Sequence, residues 1–204
     1  AQSRALEEAL LRVSIPYRIY GGLRFYERLE IKNAIAYLKI IFNNKDNPSF
    51  ERSISNPTRG VGEKTLGKIR QAAKKFNISY IKASAKLIDE GSIGGRGGAG
   101  LKDYLEFIIG CKQFIEDNTL SELMELIIKE SGLYAYHAKE AGEKGKTRTE
   151  NLEELITATK NFEQSIKDEK TNVEIAESYL DVISLDSGDR QASEHDDAAP
   201  VSYT

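Results

Sequence analysis

Apolar residues recur along this chain every three or four positions, the spacing of helices that bury one face. A short amphipathic stretch over residues 5–13 carries Leu6, Leu10 and Val13. Pro16 ends it, because proline disfavours a helical conformation in the residue before it. Tyr17-Arg18-Ile19-Tyr20 then alternates, is rich in strand-forming residues and stops at Gly21-Gly22, which predicts one short N-terminal strand.

Helical spacing takes over after Gly22. Ile31, Ile35, Leu38 and Phe42 predict a helix from about Phe25 to Phe42. Further helices are carried by Leu66, Ile69, Ala73 and Phe76; by Ile78, Ile81, Ala85 and Ile88, stopped near Gly91; and by Leu101, Leu105, Ile108 and Ile115. Three more are carried by Leu123, Met124, Ile127 and Ile128, closed by Ser131-Gly132; by Leu152, Leu155, Ile156, Phe162 and Ile166; and by Val173, Ala176, Leu180 and Ile183. Beyond residue 185 the chain turns acidic and loses its apolar period, which predicts a mobile tail. The fold class is all-α: a bundle-like helical domain with one short strand. A lone strand cannot satisfy its own edges, so it either pairs outside the helical body or is poorly ordered.

Composition narrows the chemistry. With 204 residues, 40% of them hydrophobic and 30% charged, a core can form. No apolar run reaches the ~18–20 residues of a membrane span, and no secretory signal opens the chain. The single cysteine, Cys111, excludes an internal disulfide, and His137 and His195 beside it are too few for a structural zinc site. Cysteine poverty fits a reducing compartment. Charge is uneven: Arg12 to Lys75 holds 14 basic and 5 acidic residues, whereas Glu163 to Thr204 holds 3 basic and 11 acidic. The first region suits a polyanion and the last repels one.

Three glycine-containing stretches imitate phosphate loops. Gly95-Arg96-Gly97-Gly98-Ala99-Gly100 has the letters of a dinucleotide fingerprint, but the residues before it end a helix instead of a strand, so a flexible inter-helix loop is the expectation. Gly145-Lys146-Thr147 ends like a Walker loop, yet Glu140 stands where the leading glycine belongs, and a charged loop is expected there too. Asn77-Ile78-Ser79 fits a glycosylation acceptor, which carries no weight without a secretory signal.

Pro57-Thr58-Arg59-Gly60-Val61-Gly62-Glu63-Lys64-Thr65-Leu66 is different. Two glycines bracket an apolar residue, and an amphipathic helix follows at once. Gly60 and Gly62 allow a tight turn and close approach, the helix N-terminus offers free amides and a favourable dipole, and Thr58, Arg59, Lys64 and Thr65 add donors for phosphate oxygens. Val61 is expected to point inward. The pattern resembles the glycine hairpin of helix-hairpin-helix modules, which grip the backbone of duplex DNA. A helix-helix turn whose glycines serve geometry alone is the competing reading.

No catalytic constellation emerges. Cys111 sits among apolar residues and reads as a buried, inert thiol. Glu7-Glu8, Glu153-Glu154 and Asp196-Asp197 are sequence neighbours, which diverge on a helix and stay solvated.

The segments Gln2–Glu7, Ile15–Gly22, Arg24–Arg28, Glu30–Lys32, Ala36–Leu38, Asn56–Gly62, Gly142–Arg148 and Glu150–Leu155 together resemble the UvrD/Rep/PcrA-type superfamily 1 DNA helicases, over roughly residues 1–185. The resemblance implies the edge of motor subdomain 2A at residues 1–22, helical subdomain 2B at 23–185 and an acidic linker at 186–204. It implies a duplex-contacting, regulatory module of an ATP-dependent 3′→5′ helicase of repair or replication, with Thr58, Arg59, Gly60, Val61, Gly62, Lys64 and Thr65 at the DNA. Arg18, Arg24 and Arg28 are weaker DNA or hinge candidates. ATP and Mg²⁺ are expected for the parent helicase and not for this segment, in a bacterial-type, nucleoid-associated cytoplasmic setting with repair proteins as possible partners. Val61 replaces a common isoleucine, and residues 198–204 depart from the family pattern. Two other readings stand beside it: a protein-interaction module whose basic face docks an acidic partner, and a free-standing helix-hairpin-helix protein.

Overall fold

The computed structural model describes residues 24–166 and 170–196, with side chains placed as far as Leu185. Among the described residues the fold is helical, without a strand. A 3₁₀ turn at Phe25–Glu27 leads into α1 (Leu29–Phe42), α2 (Asn47–Ser55), α3 (Glu63–Phe76) and α4 (Tyr80–Asp89). There follow α5 (Gly95–Asp117), α6 (Leu120–Glu130), α7 (Leu133–Ala138), α8 (Glu143–Ser165) and α9 (Asn172–Asp196). The stretch over residues 5–13, the strand at Tyr17–Tyr20 and Arg18 lie outside the described residues.

Helix α1 is the hub. Ten of its fourteen residues are buried, because it is apolar on nearly every side, and it packs against α2, α5, α6 and α8. Tyr37, Phe50, Tyr104 and Tyr179 are the bulkiest parts of the core with Phe25. Caps fix the boundaries. Asp46 accepts the Ser49 amide at 2.9 Å at the start of α2, and Thr119 with Glu122 forms a reciprocal capping box on α6. Asn77, in the left-handed region at φ 51°, closes α3.

The structure adds two helices to those the spacing predicts. Helix α2 carries only Phe50 and Ile54 as large apolar residues, and Pro48 sits in its first turn, where a missing amide costs nothing. Helix α7 has six residues, too few to show a period. The backbone of α9 continues to Asp196, past the residue where apolar spacing stops. Helical hydrogen bonds run within the segment itself, so they do not need the apolar period to continue.

Candidate nucleic-acid interface

The hairpin joins α2 to α3 and stands on a buried polar base. The Tyr37 hydroxyl shares its proton between the carbonyls of Ser53 and Asn56, at 2.7 and 2.8 Å. The Ser53 and Tyr104 hydroxyls lie 2.6 Å apart. Burial pushes the Tyr37 phenol up to about 12 and raises Tyr104 as well, so both remain neutral donors.

Arg59 turns inward across this base. Its guanidinium lies 5.5 Å from the Tyr37 ring centroid and 5.6 Å from that of Tyr104. It donates to the carbonyls of Ser53 (3.2 Å), Pro57 (2.9 Å) and Ser131 (2.7 Å). The expectation that Arg59 reaches out to a phosphate is therefore corrected: its donors hold the ends of α2 and α6 together beneath the turn. No carboxylate pairs with it among the described residues, so its charge stays uncompensated below the hairpin.

Gly60 has φ +76°, a conformation L side chains rarely adopt, and its missing side chain leaves room for Arg96. Val61 is buried in the core cluster, as the spacing implies. Gly62 is extended at φ −95° and ψ −179°, and a Cβ there would meet nothing. The fold itself places no steric demand for glycine at position 62. The Gly62 carbonyl accepts the amides of Thr65 and Leu66 at 2.9 and 3.0 Å. The five amides from Gly60 to Lys64 find no acceptor among the described residues. Thr58, Gly60, Gly62 and Lys64 are exposed, and Thr65 is half-buried. Glu63, the acidic residue beside these amides, is paired by Arg70, which also grips Glu51 at 2.6 Å.

The glycine run at 95–100 is not a loop. It forms the opening turns of α5, laid directly on the hairpin. A Cβ on Gly97 would lie 3.0 Å from the Gly60 carbonyl oxygen, and one on Gly98 2.8 Å from that of Ile93. A Cβ on Gly100 would overlap the Arg59 carbonyl oxygen. Gly97 and Gly100 let helix and hairpin backbones touch, and Gly98 makes room for the segment leading into α5. The same contact brings Arg96, exposed at the start of α5, against Gly60. Sequence reading passed over Arg96 because its neighbours looked like a failed nucleotide loop; the local signal was a basic residue inside a run of small ones.

Gly145 belongs to the first turn of α8 and not to a charged loop. A Cβ on it would lie 2.8 Å from the His137 carbonyl oxygen and overlap that of Glu140. Neither look-alike therefore presents a nucleotide cradle. No group of three His, Cys, Asp or Glu positioned for a metal ion exists among them. Burial pushes the Cys111 thiol up to about 12, consistent with an inert core residue.

The weaker arginine candidates separate. Arg24 is exposed and has φ 87° just before the 3₁₀ turn. Arg28 donates to Asn151 on α8 and lies over the Phe25 ring at 5.4 Å. It joins a polar knot in which Asn151 donates to buried Glu30 at 2.6 Å. Within that knot Arg148 donates to both Glu140 oxygens at 2.6 and 2.8 Å, and His137 Nδ1 lies 2.9 Å from Glu140. Arg28 is thus a tie between α1 and α8.

A helical domain built around an exposed glycine hairpin has relatives of known class. Residues 1–91 match the UvrD-like helicase C-terminal domain. DNA helicase II of Escherichia coli (strain K12) is 43% identical over 201 residues, covering 98% of this chain and 28% of that protein. DNA helicase II of Haemophilus influenzae is 43% identical over 195 residues, covering 96% and 26%. ATP-dependent DNA helicase PcrA of Bacillus subtilis (strain 168) is 32% identical over 194 residues, covering 95% and 26%. The chain belongs to the UvrD/Rep/PcrA-type superfamily 1 helicases, and it spans little more than a quarter of the length of these curated relatives.

Proposed function

We propose that residues 23–185 are the 2B subdomain of an ATP-dependent 3′→5′ DNA helicase acting in repair or replication, that residues 1–22 are the edge of its 2A subdomain, and that residues 186–204 are a linker. In this reading the hairpin holds the duplex by its backbone. The observation that supports it most is the run of acceptorless amides from Gly60 to Lys64 at the exposed start of α3. Such amides and the helix dipole favour an anion. Thr58, Lys64, Thr65 and Arg96 stand around them as further donors, while Arg59 adds charge from below. ATP, Mg²⁺ and the hydrolytic steps belong to other parts of the parent protein, which works in the cytoplasm with DNA as its partner. The segment itself positions and regulates.

The test is a salt titration of duplex binding by this chain. Phosphate contacts release counterions, so affinity falls steeply with salt. Lys64→Ala and Arg96→Ala are each expected to weaken binding uniformly across sequences and flatten the salt slope by about one unit. Binding without salt dependence, or unaffected by both substitutions, would remove the hairpin from the interface.

A further inference from the structure

The hairpin does not account for the far end of α3. Lys75 lies eleven residues beyond Lys64, about 16 Å along the helix axis. That is roughly two screening lengths at physiological salt, so a phosphate held at the start of α3 gains little from it. Yet the α3–α4 face there carries its own groove of about 610 Å³, floored by Ala72 and Leu87 and edged by Lys68 and Lys75. Phe76 stands at its mouth and is 44% exposed, one of few large apolar residues left open among those described. Two ammonium groups from different helices attend its ring, Lys86 at 4.6 Å and Lys75 at 5.2 Å from the centroid. The acidic residue of the groove, Glu90, is paired with Lys86 at 2.6 Å.

We infer that this groove docks an acidic protein segment carrying one apolar anchor, a function that goes beyond the duplex reading and is independent of it. The floor supplies the apolar contact and the rim the opposite charge, which together select an acidic chain over a neutral one. A stacked nucleic-acid base fits less well. It needs a bare aromatic face, and here it would displace an ammonium group already attracted to the ring. An apolar side chain entering beside the ring edge leaves both cations at the ring, with Lys75 positioned to meet a flanking carboxylate and Lys86 still paired with Glu90.

The probe is a short fluorescent polyglutamate peptide with one central phenylalanine, titrated into the 204-residue chain at low salt. It is compared with the same peptide carrying central alanine and with duplex DNA. Phe76→Ala, on a half-open residue, is expected to keep the helical signal and weaken the phenylalanine peptide about tenfold. Lys75→Glu should weaken it at least as much. The alanine peptide should bind more weakly and be indifferent to Phe76→Ala, and duplex affinity should be unchanged by Phe76→Ala. Equal binding of the two peptides would reduce the groove to unspecific charge attraction and overturn the proposal. So would no detectable binding of the phenylalanine peptide, or binding indifferent to both substitutions. A loss of duplex affinity in Phe76→Ala would mark the groove as a nucleic-acid surface and overturn it equally.

Discussion

The hairpin and the junction between α7 and α8 are built from similar parts and put charge to opposite use. In both, a glycine early in a helix presses against a backbone carbonyl: Gly100 on Arg59, Gly145 on Glu140. In both, an arginine lies beneath. Arg148 meets the carboxylates of Glu140 and Glu30, so its charge is cancelled within the fold. Arg59 meets only carbonyl dipoles and aromatic faces, so its charge persists beneath a row of free amides. The first arrangement locks elements together and the second leaves an attractive field at the surface. A half-buried arginine thus says little about function until its partners are known.

The comparison breaks first at the glycine contacts. Gly100→Ala places a methyl group on the Arg59 carbonyl oxygen, and the backbones have no flexible end to yield. A loss of about 3 kcal/mol or more in urea unfolding is expected. Gly67→Ala, inside α3 with open space around it, should instead stabilise by up to ~1 kcal/mol. Arg59→Ala comes next. It strands the carbonyls of Pro57 and Ser131, while that of Ser53 keeps the Tyr37 hydroxyl, and should cost about 2 kcal/mol, with weaker duplex binding from the lost charge. Arg59→Lys should rescue the binding more than the stability, since one ammonium group cannot reproduce a planar fork on three acceptors.

Acid separates the two regions. The hydrogen bond from His137, aided by Arg148 against partial burial, holds the Glu140 carboxyl below the usual carboxylate range. A carboxyl with a depressed folded-state pKa stabilises the fold above its unfolded value, about 4.3 for glutamate. That contribution is lost as pH falls through the folded value. Thermal melts over this window should lose stability on acidification, and Glu140→Gln should flatten the dependence, with Arg59→Ala leaving it unaltered. Least of all for the fold is Gly62→Val: with an ordinary backbone conformation and free space, it should change stability by under ~0.5 kcal/mol. Its duplex affinity should nevertheless fall, because the new side chain stands where a phosphate would approach. Unchanged affinity in that variant makes the hairpin a structural turn only.

Much of this was legible in the sequence. The apolar spacing gives α1, α3, α4, all but the start of α5, α6, α8 and the first half of α9, and Val61 between two glycines reads correctly as an inward pin. Other features depend on contacts between distant segments. Arg59 looks like a phosphate donor because its acceptors, the carbonyls of Ser53 and Ser131, come together only when α2 and α6 pack. The run at 95–100 looks like a loop because six residues with four glycines have poor helix propensity. The close approach of Arg59 and Gly60 is what makes Gly97 and Gly100 necessary. Gly145 misleads in the same way, since the carbonyls it touches belong to the preceding turn.

The chain has no tryptophan, so its near-ultraviolet signals come chiefly from ten tyrosines. Two of them, Tyr37 and Tyr104, form the base of the hairpin with a guanidinium against their rings. Their protons are held well beyond those of solvent-exposed phenols. An alkaline titration of phenolate absorbance therefore separates a late-ionising population, to which buried Tyr179 also belongs, from the open tyrosines. In a chain whose Tyr179 is replaced by phenylalanine, that late population becomes an optical gauge of the hairpin base, readable without a label and before any nucleic acid is added.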